Sequence, residues 1–368
     1  MNLNRINKIT KILNDEGLSA LALNPGPSFT YFSNLSFHLM ERPVVLILTA
    51  NHEIGIVVPE FEMLKLQGLP SSIKTFPYPD NPSVWGDVFS NACKVMNLDH
   101  QSIGIEPTQM RFLELNYLQK AAPNAKFLAA NKLLERVREE KDEDEVNLIL
   151  KSIEIAQNAL EATLQWFKPG TTERQVANEL VIQLLRAGSD PEISFSPIVA
   201  SGPNSANPHA VPTDRIIEAG DPLLFDWGAR CQGYCSDLTR TFVVQKPHPT
   251  IDQIYPIVAQ ANQAGRDAAR PGLPAGDLDA VARKVIDDAG FGKFFKTRLG
   301  HGFGLEVHET PYLYPESRIP LATGNIITIE PGIYIPDVGG VRIEDDVVIT
   351  PNGCRTLSYM PREMRIIG

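Results

Sequence analysis

Asp226, Asp237, His301, Glu330 and Glu344 are the side chains of this 368-residue sequence whose types and spacing point most directly to chemistry. All five lie in segments that otherwise read as buried strands. In DPLLFDWGARCQGYCSDLTRTFVV, Leu223 to Ala229 and Tyr234 to Val244 are strand-like and Arg230 to Gly233 supplies the turn. A regular hairpin then sets Asp226 directly across from Asp237, with Cβ atoms ~4.5–5.5 Å apart. In NIITIEPGIYIPDVGGVRIEDDVVIT, Glu330 and Glu344 flank a turn around Pro336 to Gly340 in the same way. Buried carboxylates facing each other repel and are costly unless a cation compensates them. His301 sits between glycines in LGHGFG, where missing side chains let the backbone crowd a site.

Four carboxylates and one imidazole make an oxygen-rich, fairly hard donor set that suits a pair of divalent metal ions. Mn2+ is favoured, Co2+, Fe2+ and Zn2+ also fit, and thiolate-selected metals do not. Two such ions ~3.5–4 Å apart hold a bridging water, lower its pKa and polarise a carbonyl, so hydrolysis is the expected chemistry. Nothing resembles a P-loop, a dinucleotide fingerprint or a nucleophile elbow. Arg342, two residues before Glu344, shares its strand face and is placed to orient a carboxylate or bind substrate. Asp345 and Asp346 read as surface residues. Cys231 and Cys235 lack a second Cys/His pair at zinc-site spacing and read as small half-buried side chains in a hairpin.

The elements that must carry these residues fall into two domains, 1–134 and 135–368. In the first, Leu18 to Leu23, Pro43 to Thr49, Glu53 to Val58, Ser72 to Phe76 and Ile103 to Glu106 read as short strands. Helical patterns fill Pro82 to Met96 and Gln109 to Ala121, and Leu3, Ile6, Ile9 and Leu13 give an amphipathic N-terminal helix rather than a signal peptide. That is an α/β domain without clustered Asp, Glu, His or Cys. The charged run Glu135 to Glu145 reads as a solvated face that opens a long helix, with Val146, Ile149, Ile153, Ala156 and Leu160 on one side.

The second domain reads as a degenerate repeat of two helix-helix-hairpin halves. Pro169-Gly170 ends one helix and Thr172 with Gln175 makes a capping box for the next. About 105 residues later Pro271-Gly272 ends a helix, Asp277 is placed to cap its successor, and the second acid pair follows. The two halves face each other with the acids at their shared centre. The net charge of −10 argues against nucleic acid or an anionic membrane as partner. No apolar run approaches the ~18 residues of a membrane span. Four cysteines suggest no disulfide framework, so a reduced, cytoplasmic setting is expected.

The segments FDWG, CSDLTRTF, LGHGFGLEVHE, TIEPGIY and VRIEDDV, in this order and spanning about 120 residues, resemble the pita-bread dinuclear metallopeptidases. NPHAVPTD around His209 resembles the first catalytic histidine motif of the proline-directed members. The resemblance implies an α+β protein, an α/β creatinase-like domain followed by a pseudo-twofold pita-bread catalytic domain. It implies that Asp226 binds one metal, His301 and Glu330 the other, and Asp237 and Glu344 both. Glu330 would shuttle a proton, His209 and His308 would bind substrate and stabilise the tetrahedral intermediate, and Arg342 would support the site. The two-domain layout is similar to aminopeptidase P, prolidase and creatinase, and implies a homodimer whose first domain narrows access; His38 would then face a neighbour's site, or be a plain surface residue. The expected activity is an Xaa-Pro aminopeptidase, acting on peptides with proline in the second position. The alternatives are a prolidase restricted to dipeptides, a creatinase-like amidinohydrolase and a non-catalytic binding module. Retention of all five ligands counts against the last two.

Overall fold

In the computed structural model, which describes residues 1–246 and 248–368, the chain divides into two units, Met1–Arg138 and Glu139–Gly368. The first unit is built on a six-stranded mixed sheet. Its order runs Lys74–Tyr78, Ile54–Pro59, Val45–Thr49, Ala20–Leu23, Ser102–Ile105, Lys126–Ala129. The central strands are buried along their whole length, as expected for continuous apolar runs such as Val45–Thr49. Lys126–Ala129 is an edge strand with mostly exposed side chains, and its lack of apolar alternation left it without a signal in the sequence. Helix Pro82–Val95 starts from an Asn81 cap and buries Trp85, Phe89, Ala92 and Cys93 against this sheet's core. The N-terminal helix, Leu3–Asp15, buries Ile6, Ile9 and Leu13 but leaves Leu3 exposed.

The charged run departs from its expected reading as a solvated face opening one helix. A helix Asn131–Arg138 ends inside it, and a second, Glu143–Trp166, begins from an Asp142–Glu145 capping box. Between them Glu140 bridges Asn325, and the Lys141 N–H donates to the Gly324 carbonyl (2.9 Å), so the backbone leaves helical geometry to join a strand end. Glu145 and Lys141 are buried: Tyr234 Oη donates to Glu145 Oε1 (2.7 Å), and Lys141 Nζ pairs with Glu309 Oε2 (3.0 Å).

The repeat in the second unit is visible in its hydrogen bonds. Helices Glu143–Trp166 and Glu173–Arg186 belong to one half, Pro249–Ala268 and Ala275–Asp288 to the other. The Gly170 N–H donates to the Ile217 carbonyl and Thr172 bridges Ile216; equivalently, Gly272 donates to Leu321 and Pro274 bridges Pro320. Thr172 and Gln175 form the expected capping box. Asp277 does not cap: Pro274 occupies that position, and Asp277 lies within the first turn. Backbone carbonyls of Ile319 and Ser317 take the Ala275 and Gly276 N–H groups instead, which leaves a side-chain cap nothing to bind there. The halves contribute a four-stranded sheet (Ile366–Ile367, Leu238–Val244, Pro222–Trp227, Ile198–Ser201) and a five-stranded one (Glu309–Leu313, Gly300–Gly302, Ile326–Ile329, Asp345–Thr350, Gly353–Thr356).

Asp345 and Asp346 are fully buried, which corrects their reading as surface acids. Asp345 accepts from Arg240 Nη2 (2.9 Å), Arg362 Nε (2.6 Å) and Ser358 Oγ (2.6 Å). Burial alone would raise its pKa, but Arg240 and then Arg362 and Ser358 outweigh it and hold the carboxyl far below its usual range. A carboxyl depressed on folding stabilises the protein above its unfolded pKa of about 3.9, and that contribution is lost as pH falls towards the folded value. Asp345→Asn is therefore expected to cost about 3–5 kcal/mol at neutral pH, because it leaves the buried Arg240 guanidinium without its counter-charge. Urea unfolding checks this: the gap between wild type and variant should narrow from pH 7 to pH 3, and a small or pH-independent gap would contradict it.

Candidate metal centre

The first acid pair sits on the hairpin that begins with strand Pro222–Trp227, and its register differs from expectation. Gln232 and Gly233 both have positive φ (49° and 87°), forming a two-residue turn one position later than the symmetric centre. Asp226 consequently pairs with Thr239, not Asp237. A shift of two residues keeps the strand face, so Asp237 becomes a diagonal neighbour of Asp226 rather than a direct one. Thr239 also bridges Glu344, with its carbonyl accepting the Glu344 N–H (3.1 Å), and so joins the two hairpins. In the second hairpin the ladders Ile329↔Asp345 and Gly332↔Arg342 share one register, which sets Glu330 opposite Glu344 as expected. His301 lies on strand Gly300–Gly302. A Cβ on Gly300 would lie 2.2 Å from the Thr328 carbonyl oxygen and one on Gly302 2.3 Å from that of Thr310, so both glycines are needed for the close approach.

Asp237, His301 and Glu344 each direct one donor atom into a common space, all within 4.8 Å of one another, and all three residues are buried. His301 Nε2 lies 3.5 Å from Asp237 Oδ2 and 3.3 Å from Glu330 Oε1. Its Nδ1 faces the Gly302 carbonyl oxygen at 3.1 Å, which can only accept, so Nδ1 carries a hydrogen. Nε2 therefore points at two carboxylates, a position suited to a proton or to a metal cation. Thr239 Oγ1 donates to Glu344 Oε2 (2.6 Å) and Thr328 Oγ1 to Glu330 Oε1 (3.2 Å). Asp226 Oδ1 is buried without any hydrogen-bond partner.

The electrostatics make the same demand. Burial, and then repulsion by Glu344, Asp226 and Glu330, push Asp237 well above the ordinary carboxylate range. Burial with repulsion by Glu330 and Asp226 does the same to Glu344. Asp226 is raised by burial, with Arg342 opposing. Glu330 runs the other way: burial pushes it up, but the His301 hydrogen bond and charge, then Arg342 and Arg298, leave it below its usual value. Groups pushed towards neutrality by one another's charge are groups a divalent cation would return to the ionised form. The donor set therefore fits divalent metal, with Asp226 Oδ1 as a buried oxygen otherwise unsatisfied.

Arg342 does orient a carboxylate, but that of Asp226, on the other hairpin (Nη2–Oδ2 2.5 Å). It also donates to Thr239 Oγ1 (2.9 Å), Tyr334 Oη (2.8 Å) and the Pro208 carbonyl (3.4 Å), next to His209. His209 is exposed on the loop after the turn Gly202–Ala206, and its charge is felt at His308. His308 packs its ring edge-on against His301, centroids 4.3 Å apart. Burial, followed by the charges of His301 and Arg298, brings its pKa down to about 4, so it is neutral at pH 7. His38 is exposed in the first unit. Cys231 is half-buried and Cys235 buried, both as free thiols.

Four residues support the centre in ways that their sequence context does not announce. Thr239 and Thr328 stand two residues from Asp237 and Glu330, a strand-face spacing that could have flagged them. Asp346 accepts the Asp237 N–H on Oδ2 (3.4 Å), and its burial raises its pKa well above normal. Lys141 pairs in the interior with Glu309, which also accepts the Glu306 N–H (3.0 Å) and so fastens the loop that ends at His308. Because burial and mutual repulsion favour the protonated forms of Asp237 and Glu344, Mn2+ binding is expected to release protons and to weaken as pH falls. Calorimetry in buffers of different ionisation enthalpy measures this; binding without proton release would contradict the charge assignment.

Residues 147–351 match metallopeptidase family M24, and residues 5–139 match the creatinase/prolidase N-terminal domain. The Xaa-Pro dipeptidase of Pyrococcus horikoshii is 35% identical over 360 residues, 98% of each chain. A dipeptidase structure from Pyrococcus horikoshii OT3 superposes with TM-score 0.92 at 36% identity, over 99% of this chain and 100% of that one. An X-Pro aminopeptidase structure from Thermotoga maritima MSB8 gives 0.86 at 28% identity, over 95% and 98%. Sequence, fold and a buried donor cluster thus agree along nearly the whole chain, and the protein belongs to metallopeptidase family M24, in the two-domain form that pairs a creatinase-type N-terminal domain with a pita-bread catalytic domain.

Proposed function

We propose that the protein is an Xaa-Pro dipeptidase that works with two divalent metal ions, Mn2+ first among them. What supports the substrate reading is likeness over 98% of both chains to a protein named Xaa-Pro dipeptidase. That likeness supports the dipeptidase over the Xaa-Pro aminopeptidase expected from the sequence, which has the support of a structural neighbour at lower identity. Asp226 would hold one metal, His301 and Glu330 the other, and Asp237 and Glu344 both. Bound there, the metals supply Lewis-acid polarisation and a water of lowered pKa.

The chain's own residues do the rest. Glu330, ionised and steadied by Thr328, would accept a proton and return it to the leaving nitrogen, the metals and substrate having to raise its basicity from the low value it has here. Neutral His308 can donate a hydrogen bond to the carbonyl oxygen as charge develops there. His209 would bind substrate from its loop. Arg342 is a positioning residue that ties Asp226 to the carbonyl beside His209. A homodimer is the proposed assembly.

Metal-loaded protein is expected to cleave Xaa-Pro dipeptides faster than Xaa-Pro-Yaa tripeptides. The reverse order would restore the aminopeptidase reading, and inertness towards both would sink proline-directed activity. Asp237→Asn should abolish bound metal and turnover together. His308→Ala should lower kcat by about 100-fold or more with metal content unchanged; full activity in that variant would remove His308 from the mechanism.

A further inference from the structure

Arg266 and Arg362 line a cavity of about 690 Å3 that the mechanism does not use. One wall is helix Pro249–Ala268, which presents Tyr255, Pro256, Ala259 and Arg266, and the other is the C-terminal segment with Arg362 and Met364. That segment is fastened from behind. Arg240 donates to the carbonyls of Met360 (2.8 Å) and Pro361 (3.0 Å), and Gln157 Oε1 accepts the N–H groups of Tyr359 (2.9 Å) and Met360 (2.6 Å). The cavity is thus preformed, and its size falls in the range of small-molecule sites, about 300–1,000 Å3.

Charge around this cavity is unbalanced. Arg240, Arg266 and Arg362 share one buried carboxylate, that of Asp345. Arg240 and Arg362 hydrogen-bond to it, whereas Arg266 Nε stands 3.7 Å off, beyond hydrogen-bond reach. Arg266, its side chain 12% exposed, donates instead to two neutral amides, Asn262 Oδ1 (2.9 Å) and Gln263 Oε1. Burial and then the charge of Arg362 pull its pKa below the usual value, which Asp345 and Asp267 offset only in part. Tyr255 is 4% exposed, and among the described residues its hydroxyl has no hydrogen-bond partner. A cation short of counter-charge, an unpaired hydroxyl and an apolar wall together suit a carboxylate carried on an apolar body. Asp252 and Glu363, both exposed on the same lining, disfavour multiply charged anions. We propose that this cavity is a second binding site, for a small organic monocarboxylate whose anion pairs with Arg266 and Tyr255 and whose apolar part lies against Pro256, Ala259 and Met364. The site is independent of the peptidase reading.

Calorimetry on the full chain loaded with Mn2+ tests this with phenylacetate, its neutral amide phenylacetamide and inorganic phosphate. Phenylacetate should bind saturably, one per chain, and about 10-fold or more tighter than either of the others, as expected for a charge-assisted hydrogen-bonded pair. Arg266→Gln should weaken it by about 10-fold or more, and Tyr255→Phe by about 3- to 10-fold, with fold and metal content unchanged. Tyr255→Phe removes only an unpaired hydroxyl, so it decides alone should Arg266→Gln not fold. Asp237→Asn, which disables the metal centre, should bind phenylacetate like the wild type. Absence of saturable phenylacetate binding overturns the assignment, as does equal affinity for the amide or for phosphate. Wild-type affinity in either cavity variant, or loss of binding in Asp237→Asn, overturns it as well.

Discussion

Mutual repulsion among buried carboxylates is the constraint around which the catalytic unit is organised. Asp226, Asp237, Glu330 and Glu344 come from two hairpins, one per half of the repeat, and meet where Thr239 bridges Glu344. Left to themselves such groups are driven towards protonation or apart. Here the strands prevent separation, because each acid lies in or beside a paired strand and Gly300 and Gly302 let His301 close the remaining side, so Asp237 and Glu344 are driven towards protonation instead. With all four acids ionised, the arrangement is favourable only with positive charge inside it. Arg342 supplies some to Asp226, and divalent metal would supply the remainder.

Several ion pairs elsewhere in the unit keep the loops around this centre in place. Lys141–Glu309 anchors the loop bearing His308, Asp279–Arg283 fixes the segment before His301, and Asp345 with Arg240 and Arg362 locks the strand that follows Glu344. In each, at least one partner is fully or nearly fully buried. Buried pairs of this kind add little net stability, but breaking one is expensive, so they oppose local alternatives. Rigid loops suit a site whose donors must stay close despite repelling one another.

The acid pairs were legible in the sequence because a hairpin is symmetric about its turn, and acids equidistant from a turn among apolar residues are rare without cause. The register of the first hairpin was not legible to the residue, since it depends on Gln232 adopting positive φ beside Gly233. For Glu330 and Glu344 the symmetric guess held, because a three-residue loop, Pro336–Val338, centres where the acids imply. Asp345 and Asp346 misled for a different reason. Their burial depends on Arg240, Arg362 and the Asp237 backbone, partners distant in sequence. The run Glu135 to Glu145 misled likewise, because charge density suggests solvent while Lys141 and Glu145 find buried partners far along the chain.

Anomalous diffraction from crystals grown with Mn2+ tests the central claim most directly. The expected result is two anomalous peaks per chain, enclosed by Asp226, Asp237, His301, Glu330 and Glu344, with Asp226 Oδ1 no longer without a partner. Loaded crystals showing no peak there, or manganese bound only elsewhere on the chain, would contradict the account.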